Sequence, residues 1–238
     1  MDLKLKLIWR AVPWYLVIKT AVLTGLFLEA GWLWFGITIL ILFSSGKREL
    51  TVSYTFSLAV LVLLAYAGGG LPQAGNKLMV VLISLGSFML LGLKEITFTN
   101  KELIFRTLSA TLSAGMFLIF FWFSFWGGEA ALSWFLFLGF GIYWLFYDLN
   151  KFYNLTGAEG KLAAAVGTFL VVEAAFLTRQ LPIGFISQSA ALALITAILQ
   201  EVGARLKAER WEGRWVMSLV TVLAAGMTFI FWLSQWEM

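Results

Sequence analysis

"LAVLVLLA", residues 58–65, decides the fold. Eight apolar residues follow one another without a polar break. A membrane β-strand alternates apolar and polar side chains with period two, so this run does not read as one. Extended outward it fills a core at 51–67, which measures about 26 Å as a helix at 1.5 Å per residue. That is slightly under the roughly 30 Å of a bilayer's hydrocarbon layer. The glycine-rich stretch "AGGGLPQAGN" (67–76) closes the core, and a second apolar run opens at Lys77.

Backbone polar groups in hydrocarbon must be paired within the segment that carries them, so spans are helices. The remaining sequence repeats the pattern. Helical cores are expected at 12–28, 31–45, 51–67, 77–93, 103–126, 130–147, 162–177, 184–200 and 215–234. The fold class is therefore all-α: a polytopic transmembrane bundle of about nine spans, forming a single transmembrane domain over 1–238. The N-terminus, "MDLKLKLIWRAVPWYLVIK", is basic and then apolar like a signal peptide. Lys19 interrupts its apolar region and no small-x-small cleavage site follows, so it reads as a retained first helix.

Composition agrees. Of 238 residues, 61% are hydrophobic and only 13% charged, against roughly a quarter charged in an average globular chain. The absence of Cys and His removes disulfides, thiolate nucleophiles, haem attachment and Cys/His metal sites. No cofactor and no metal are expected. No Ser-His pair or carboxylate dyad lies within a span, so the sequence reads against an enzyme. No basic-aromatic stripe points to nucleic acid. The expected setting is the cell membrane. The expected partners are the lipid bilayer and other membrane proteins, a second copy of the chain included.

Charge placement orients the bundle. Lys and Arg concentrate on the cytoplasmic side of membrane proteins. With the N-terminus inside, fourteen of the 17 basic residues fall in cytoplasmic loops or adjoining helix ends. Lys77 and Arg179 are the exceptions outside, and Lys19 lies within the first span. Fusing 12–45 into one helix gives eight spans and places Lys4, Lys6 and Arg10 opposite Lys47 and Arg48. The turn at Glu29-Ala30-Gly31 avoids this, so nine spans with N-in and C-out is the expectation. "TNKE" (99–102) reads as a capping box opening the fifth helix. "QEVGARLKAERWEGRW" (200–215) reads as a solvated loop or short interfacial helix, with Glu201 and Arg205 spaced to pair. "NLT" (154–156) matches a glycosylation acceptor, but this topology makes it cytoplasmic.

The chain also repeats itself. "AGMFLIFFWFSFW" (114–126) and "AGMTFIFWLSQW" (225–236) share A-G-M-x-x-I-F-W-x-S-x-W when one residue is deleted. Leu71-Pro72 and Leu181-Pro182 match at a spacing of 110 residues. Helices three to five then correspond to helices seven to nine, with repeat units 51–126 and 162–236. The shift is an even number of helices, which makes the repeat parallel, with an axis along the membrane normal.

Glu173 and Lys19 are the ionisable residues well inside spans, and intramembrane charge is a functional candidate by default. Glu173 lies about 6 Å from the end of its span, at 1.5 Å per residue. Gln188 sits at similar depth on the next helix and is the expected hydrogen-bond partner. Lys19 can snorkel along its stem to the inner surface. The first repeat unit carries Val62 or Leu63 where the second has Glu173, so a symmetric carboxylate relay is absent. Gly68-Gly69-Gly70 lacks the Gly-Lys-Ser/Thr of a phosphate-binding loop. The Trp pairs 32/34, 122/126 and 232/236 sit where interfacial aromatic belts are expected.

"FLTRQLPIGF", followed by an apolar helix, a charged loop and a Trp-rich last helix (176–236), resembles an uncharacterised multi-pass bacterial membrane family. That resemblance covers the last quarter of the chain and implies no activity. Two functions fit the sequence. One is a structural or interaction subunit that packs with membrane proteins or lipids. The other is a small transporter or channel with a path between the repeats, using Glu173 and Lys19.

Overall fold

The computed structural model describes residues 14–44, 55–94, 101–126, 131–152, 155, 157–207 and 213–234. Among these residues the protein is helical: α1 (Trp14–Ala30), α2 (Trp32–Ser44), α3 (Thr55–Gly68), α4 (Gln73–Lys94), α5 (Lys101–Trp126), α6 (Ala131–Phe152), α7 (Gly157–Arg179), α8 (Phe185–Lys207) and α9 (Gly213–Leu233). Each falls on one expected core. Six of them, α4 to α9, are long and apolar enough to cross a membrane. By contrast, α2 and α3 have 13 and 14 residues. Such helices reach only about 20 Å, against a hydrocarbon layer of roughly 30 Å.

The fused helix over 12–45 does not form. Gly31 adopts φ +82°, a left-handed conformation that costs a residue with a Cβ about 1–2 kcal/mol. It ends α1 at Ala30, and α2 starts one residue later. Phe27 and Phe35 meet edge to face across this turn with ring centroids 5.8 Å apart. The two helices then pack against each other.

Two compact units divide the chain, Met1–Gly115 and Met116–Met238. In the first, α1 packs on α2, α2 on α3, α3 on α4, and α4 back on α1. This closes a ring of four helices. The α1–α4 seam carries a side-chain hydrogen bond, Thr24 Oγ1 to Ser84 Oγ at 2.9 Å. Each hydroxyl oxygen also lies within reach of a carbonyl on its own helix, Thr20 or Val80, so one hydroxyl donates across the seam while the other donates to its own carbonyl. Small residues set the other approaches, as expected where helices associate without a hydrophobic drive between them. A Cβ on Gly86 would stand 3.0 Å from Leu61 of α3 and 3.4 Å from Leu112 of α5. At one end of the ring, the Lys94 ammonium lies over the Phe43 ring at 5.2 Å.

In the second unit α6 packs on α7, α7 on α8, and α8 on α9. The second half of α5 joins them through rings. Phe123 stacks on Trp134 of α6 at 4.8 Å, Phe120 meets Phe135 edge to face at 4.8 Å, and Trp122 meets Phe185 of α8 at 5.1 Å. The α6–α7 connection is held by Asn150. Its backbone carbonyl accepts from the Leu155 N–H at 3.0 Å, and its side-chain amide donates to the Gly160 carbonyl at 3.0 Å. A Cβ at Gly160 would run into the Leu155 carbonyl oxygen.

The paired Leu-Pro turns share their hydrogen bonds. Gly70 N–H donates to Ala67 and Leu71 N–H to Gly68; Gln180 N–H donates to Leu177 and Leu181 N–H to Thr178. The second pair is the first moved by 110 residues. Ser124 and Ser234, matched in the repeated motif, both return their hydroxyl to the carbonyl three residues earlier, in Phe121 and Phe231.

One local expectation changes, and two others involve residues outside those described. The helix expected to stop at 200 continues to Lys207, so the first part of the charged stretch prolongs α8 and forms no separate interfacial helix. The Glu102 carboxylate accepts from Arg106 one turn ahead at 2.8 Å. Thr99, Asn154 and Thr156 lie outside the described residues.

Gly160→Ala drives a methyl into a backbone carbonyl that cannot rotate away, a clash of the class that costs about 1–3 kcal/mol. Gly203, on exposed α8 surface, has nothing within 4 Å of the place a Cβ would take. Gly203→Ala therefore gains up to about 1 kcal/mol from helix propensity. Thermal unfolding in detergent should show Tm falling for the first variant and unchanged or raised for the second.

Candidate functional site

The structure places the three sequence candidates apart in role. Gln188 is buried. Its side-chain amide donates to the Leu181 carbonyl at 3.1 Å, and its backbone N–H donates to Gly184 at 3.0 Å. It therefore ties the first turn of α8 to the α7–α8 turn and does not turn its amide toward Glu173. The buried stripe of α7 is Gly160, Ala164, Val171, Ala175 and Thr178. At about 100° per residue, Glu173 lies some 200° from Val171 and Ala175, on the opposite, exposed face. The small residues Ala163, Gly167 and Ala174 are spaced to share one face of the helix. Ala163 is exposed and the other two half-buried, so the packed face is rotated by about one residue. Lys19, on half-buried ground in the first unit, sets its ammonium over the Tyr15 ring at 5.1 Å. Tyr15 is one turn nearer the N-terminus, so the lysine reaches along its own helix toward that end.

Arg179, an exception to the charge rule, has a defined task. Its guanidinium donates to the Ser124 carbonyl at 3.0 Å. Ser124 lies in the last turn of α5, where carbonyls have no partner within the helix. A cation at that end also complements the helix dipole. Arg179 thus satisfies a backbone acceptor from the last turn of a neighbouring helix.

A cavity of about 520 Å³ opens among α6, α7 and α8. Its walls are Phe146 and Leu149 of α6, Leu162, Val166 and Leu170 of α7, and Leu199 and Val202 of α8. Among the described residues, three polar ones reach it: Asn150, Glu159 and Gln200. Asn150 and Gln200 are 9% and 2% exposed, while Glu159 is open. No family model, no curated protein and no solved structure matches the chain. The arrangement therefore has to be read from its own chemistry.

Sequence reading missed this region because its polar residues stand at the ends of the expected cores. Asp148 and Asn150 follow a core that stopped at 147, and Gln200 closes another. End positions ordinarily face headgroups or water. Here Asp148, Leu149 and Asn150 are all buried. Consecutive residues project in different directions around a helix, so this end of α6 is enclosed on several sides. The signal available was "DLN" continuing a helix without a break into the α7 connection. Among the described residues, no group of three or more His, Cys, Asp or Glu is placed to hold a metal ion.

Arg179→Gln removes a charged hydrogen bond to a backbone carbonyl, an interaction class worth about 1.5–3 kcal/mol. Tm should fall, and Arg179→Lys should restore part of the loss. Ser124→Ala, which keeps the accepting carbonyl, should leave most of it intact.

Proposed function

We propose that the chain is an integral membrane interaction subunit that docks a helix of another membrane protein on α9. One observation carries this reading. The motif A-G-M-x-x-I-F-W-x-S-x-W begins in α5 and again in α9, and its two copies are buried to different extents. In α5, Gly115, Met116, Ile119, Phe120 and Ser124 are all buried, and 61% of the most apolar stretch of that helix is buried. In α9 the corresponding share is 0%, although α9 is the most apolar of the six candidate spans. Its principal packing is on α8, where Gly226 accepts Leu194. Phe229 and Trp232 stand 58% and 78% exposed. Gly226, Met227, Ile230 and Phe231, the counterparts of buried α5 residues, are half-buried, and Phe229, which matches buried Leu118, is exposed; a partner helix would cover this side of α9.

The same reading takes α1 to α9 as nine spans, N-in and C-out, with 51–126 and 162–236 as parallel repeats. The matching turn bonds at 67–71 and 177–181 support the repeat. The charge asymmetry of the loops supports the orientation. A conduction path finds less support, since Lys19 leans along its own helix on Tyr15 and Glu173 lies on the open face of α7.

The chain has no cysteine, which makes single-cysteine labelling clean. Glu29→Cys should react with an impermeant maleimide from outside, and Lys47→Cys only after permeabilisation; the reverse pattern removes the orientation. Photo-crosslinkers placed at Phe229 and Trp232 should capture a membrane protein partner. Crosslinks to lipid alone at both positions defeat the docking reading. Phe229→Ala with Trp232→Ala should release the partner at unchanged Tm. A solute flux abolished by Glu173→Gln in the protein reconstituted alone would replace the reading with a transporter.

A further inference from the structure

The cavity among α6, α7 and α8 has the form of a site for one lipid molecule. Its volume, about 520 Å³, falls within the roughly 300–1,000 Å³ of ligand pockets. Along α7 its wall runs from Glu159 through Leu162, Ala163, Val166 and Gly167 to Leu170. That is about 16 Å at 1.5 Å per residue. The polar residues are not spread along it. Glu159 stands in the first turn of α7. Asn150 is held at the same level by its bond to Gly160, and Gln200 joins them from α8. Beyond them the α7 wall is apolar to Leu170. Such a slot, polar at one end and apolar along its length, matches a headgroup with an acyl chain.

Charge narrows the headgroup. Among the described residues that line the cavity, Glu159 is the one that carries a charge. The Asn150 amide N–H₂ donates to a backbone carbonyl, which leaves its side-chain oxygen as an acceptor. A carboxylate with an amide oxygen beside it suits a hydrogen-bonding cation. An anionic headgroup would meet repulsion at the same place.

We infer that this cavity holds one aminophospholipid, with its primary ammonium group at Glu159 and Asn150 and an acyl chain along Leu162, Val166 and Leu170. The site is independent of α9 docking, and a chain that binds no other protein would still carry it.

The test uses the full chain in nanodiscs made of equal parts phosphatidylethanolamine, phosphatidylcholine and phosphatidylglycerol. Native mass spectrometry then counts the lipids retained after release. Wild type should keep one lipid, with phosphatidylethanolamine favoured about fivefold over either competitor, the scale of one partly exposed ion pair. Glu159→Gln should keep a lipid but bring the preference close to parity. Ala163→Trp fills the slot from its exposed wall and should lose the retained lipid at unchanged Tm; Val166→Trp serves if that variant does not fold. No retained lipid in wild type overturns the inference, as does a preference for phosphatidylglycerol. Retention and preference unchanged in both Glu159→Gln and the filled-slot variant overturn it equally. The measurement contains no partner protein, so failure of the α9 reading leaves its outcome unaffected.

Discussion

Backbone amides and carbonyls that cannot reach water govern this molecule. Inside a helix each finds its partner four residues away, which is why the apolar runs described here are helical. Helix ends are the weak points, because the last carbonyls have no N–H ahead of them. The protein answers locally at several of them. Turn bonds close the ends of α3 and α7, and the Ser124 and Ser234 hydroxyls fold back on the last turns of α5 and α9. Arg179 answers from a distance, lending its guanidinium to the end of α5. The same need shapes the α6–α7 connection, where the Asn150 side chain serves the Gly160 carbonyl. Polar residues at helix ends are therefore spent first on the backbone.

With backbone needs met inside each helix, side chains decide how closely helices approach. Two packing styles coexist. Within the first unit small residues let leucines press close, as where Gly86 faces Leu61 and Leu112, and hydroxyls bridge α1 to α4. The second unit uses rings, with α5 and α6 meeting through Phe120, Phe123, Trp134 and Phe135. Rings add orientation to contact, since edge-to-face and offset-stacked geometries are preferred. The choice follows the composition of each stretch: "ISLGSF" (83–88) offers small residues, and "FLIFFWFSFW" (117–126) offers little but rings.

Much of the architecture was legible from hydropathy, because period and run length are properties of the chain itself. Gly31 was readable as a turn for the same reason: one residue tolerates the backbone angle required. The faces of α7 were less legible. Its apolar surround leaves nearly every residue eligible for burial. The choice of Ala164, Val171 and Ala175 over Ala163 and Ala174 comes from neighbours distant in sequence. Gln188, expected to meet Glu173, is buried and donates instead to a carbonyl of the adjoining turn. Backbone acceptors leave no mark in a sequence. Asp148, Asn150 and Gln200 escaped because burial at a helix end depends on what surrounds that end.

The left-handed glycine between α1 and α2 also couples the two helices mechanically. At 13 residues, α2 is shorter than the roughly 20 apolar residues that a span ordinarily needs. Joined to α1 through a single residue, it has no loop in which to move independently. The pair is one helical hairpin, closed by the Phe27–Phe35 contact across the turn, with Glu29 exposed close to the bend. Whatever positions α1 therefore positions α2, and the short helix takes its depth from its longer neighbour.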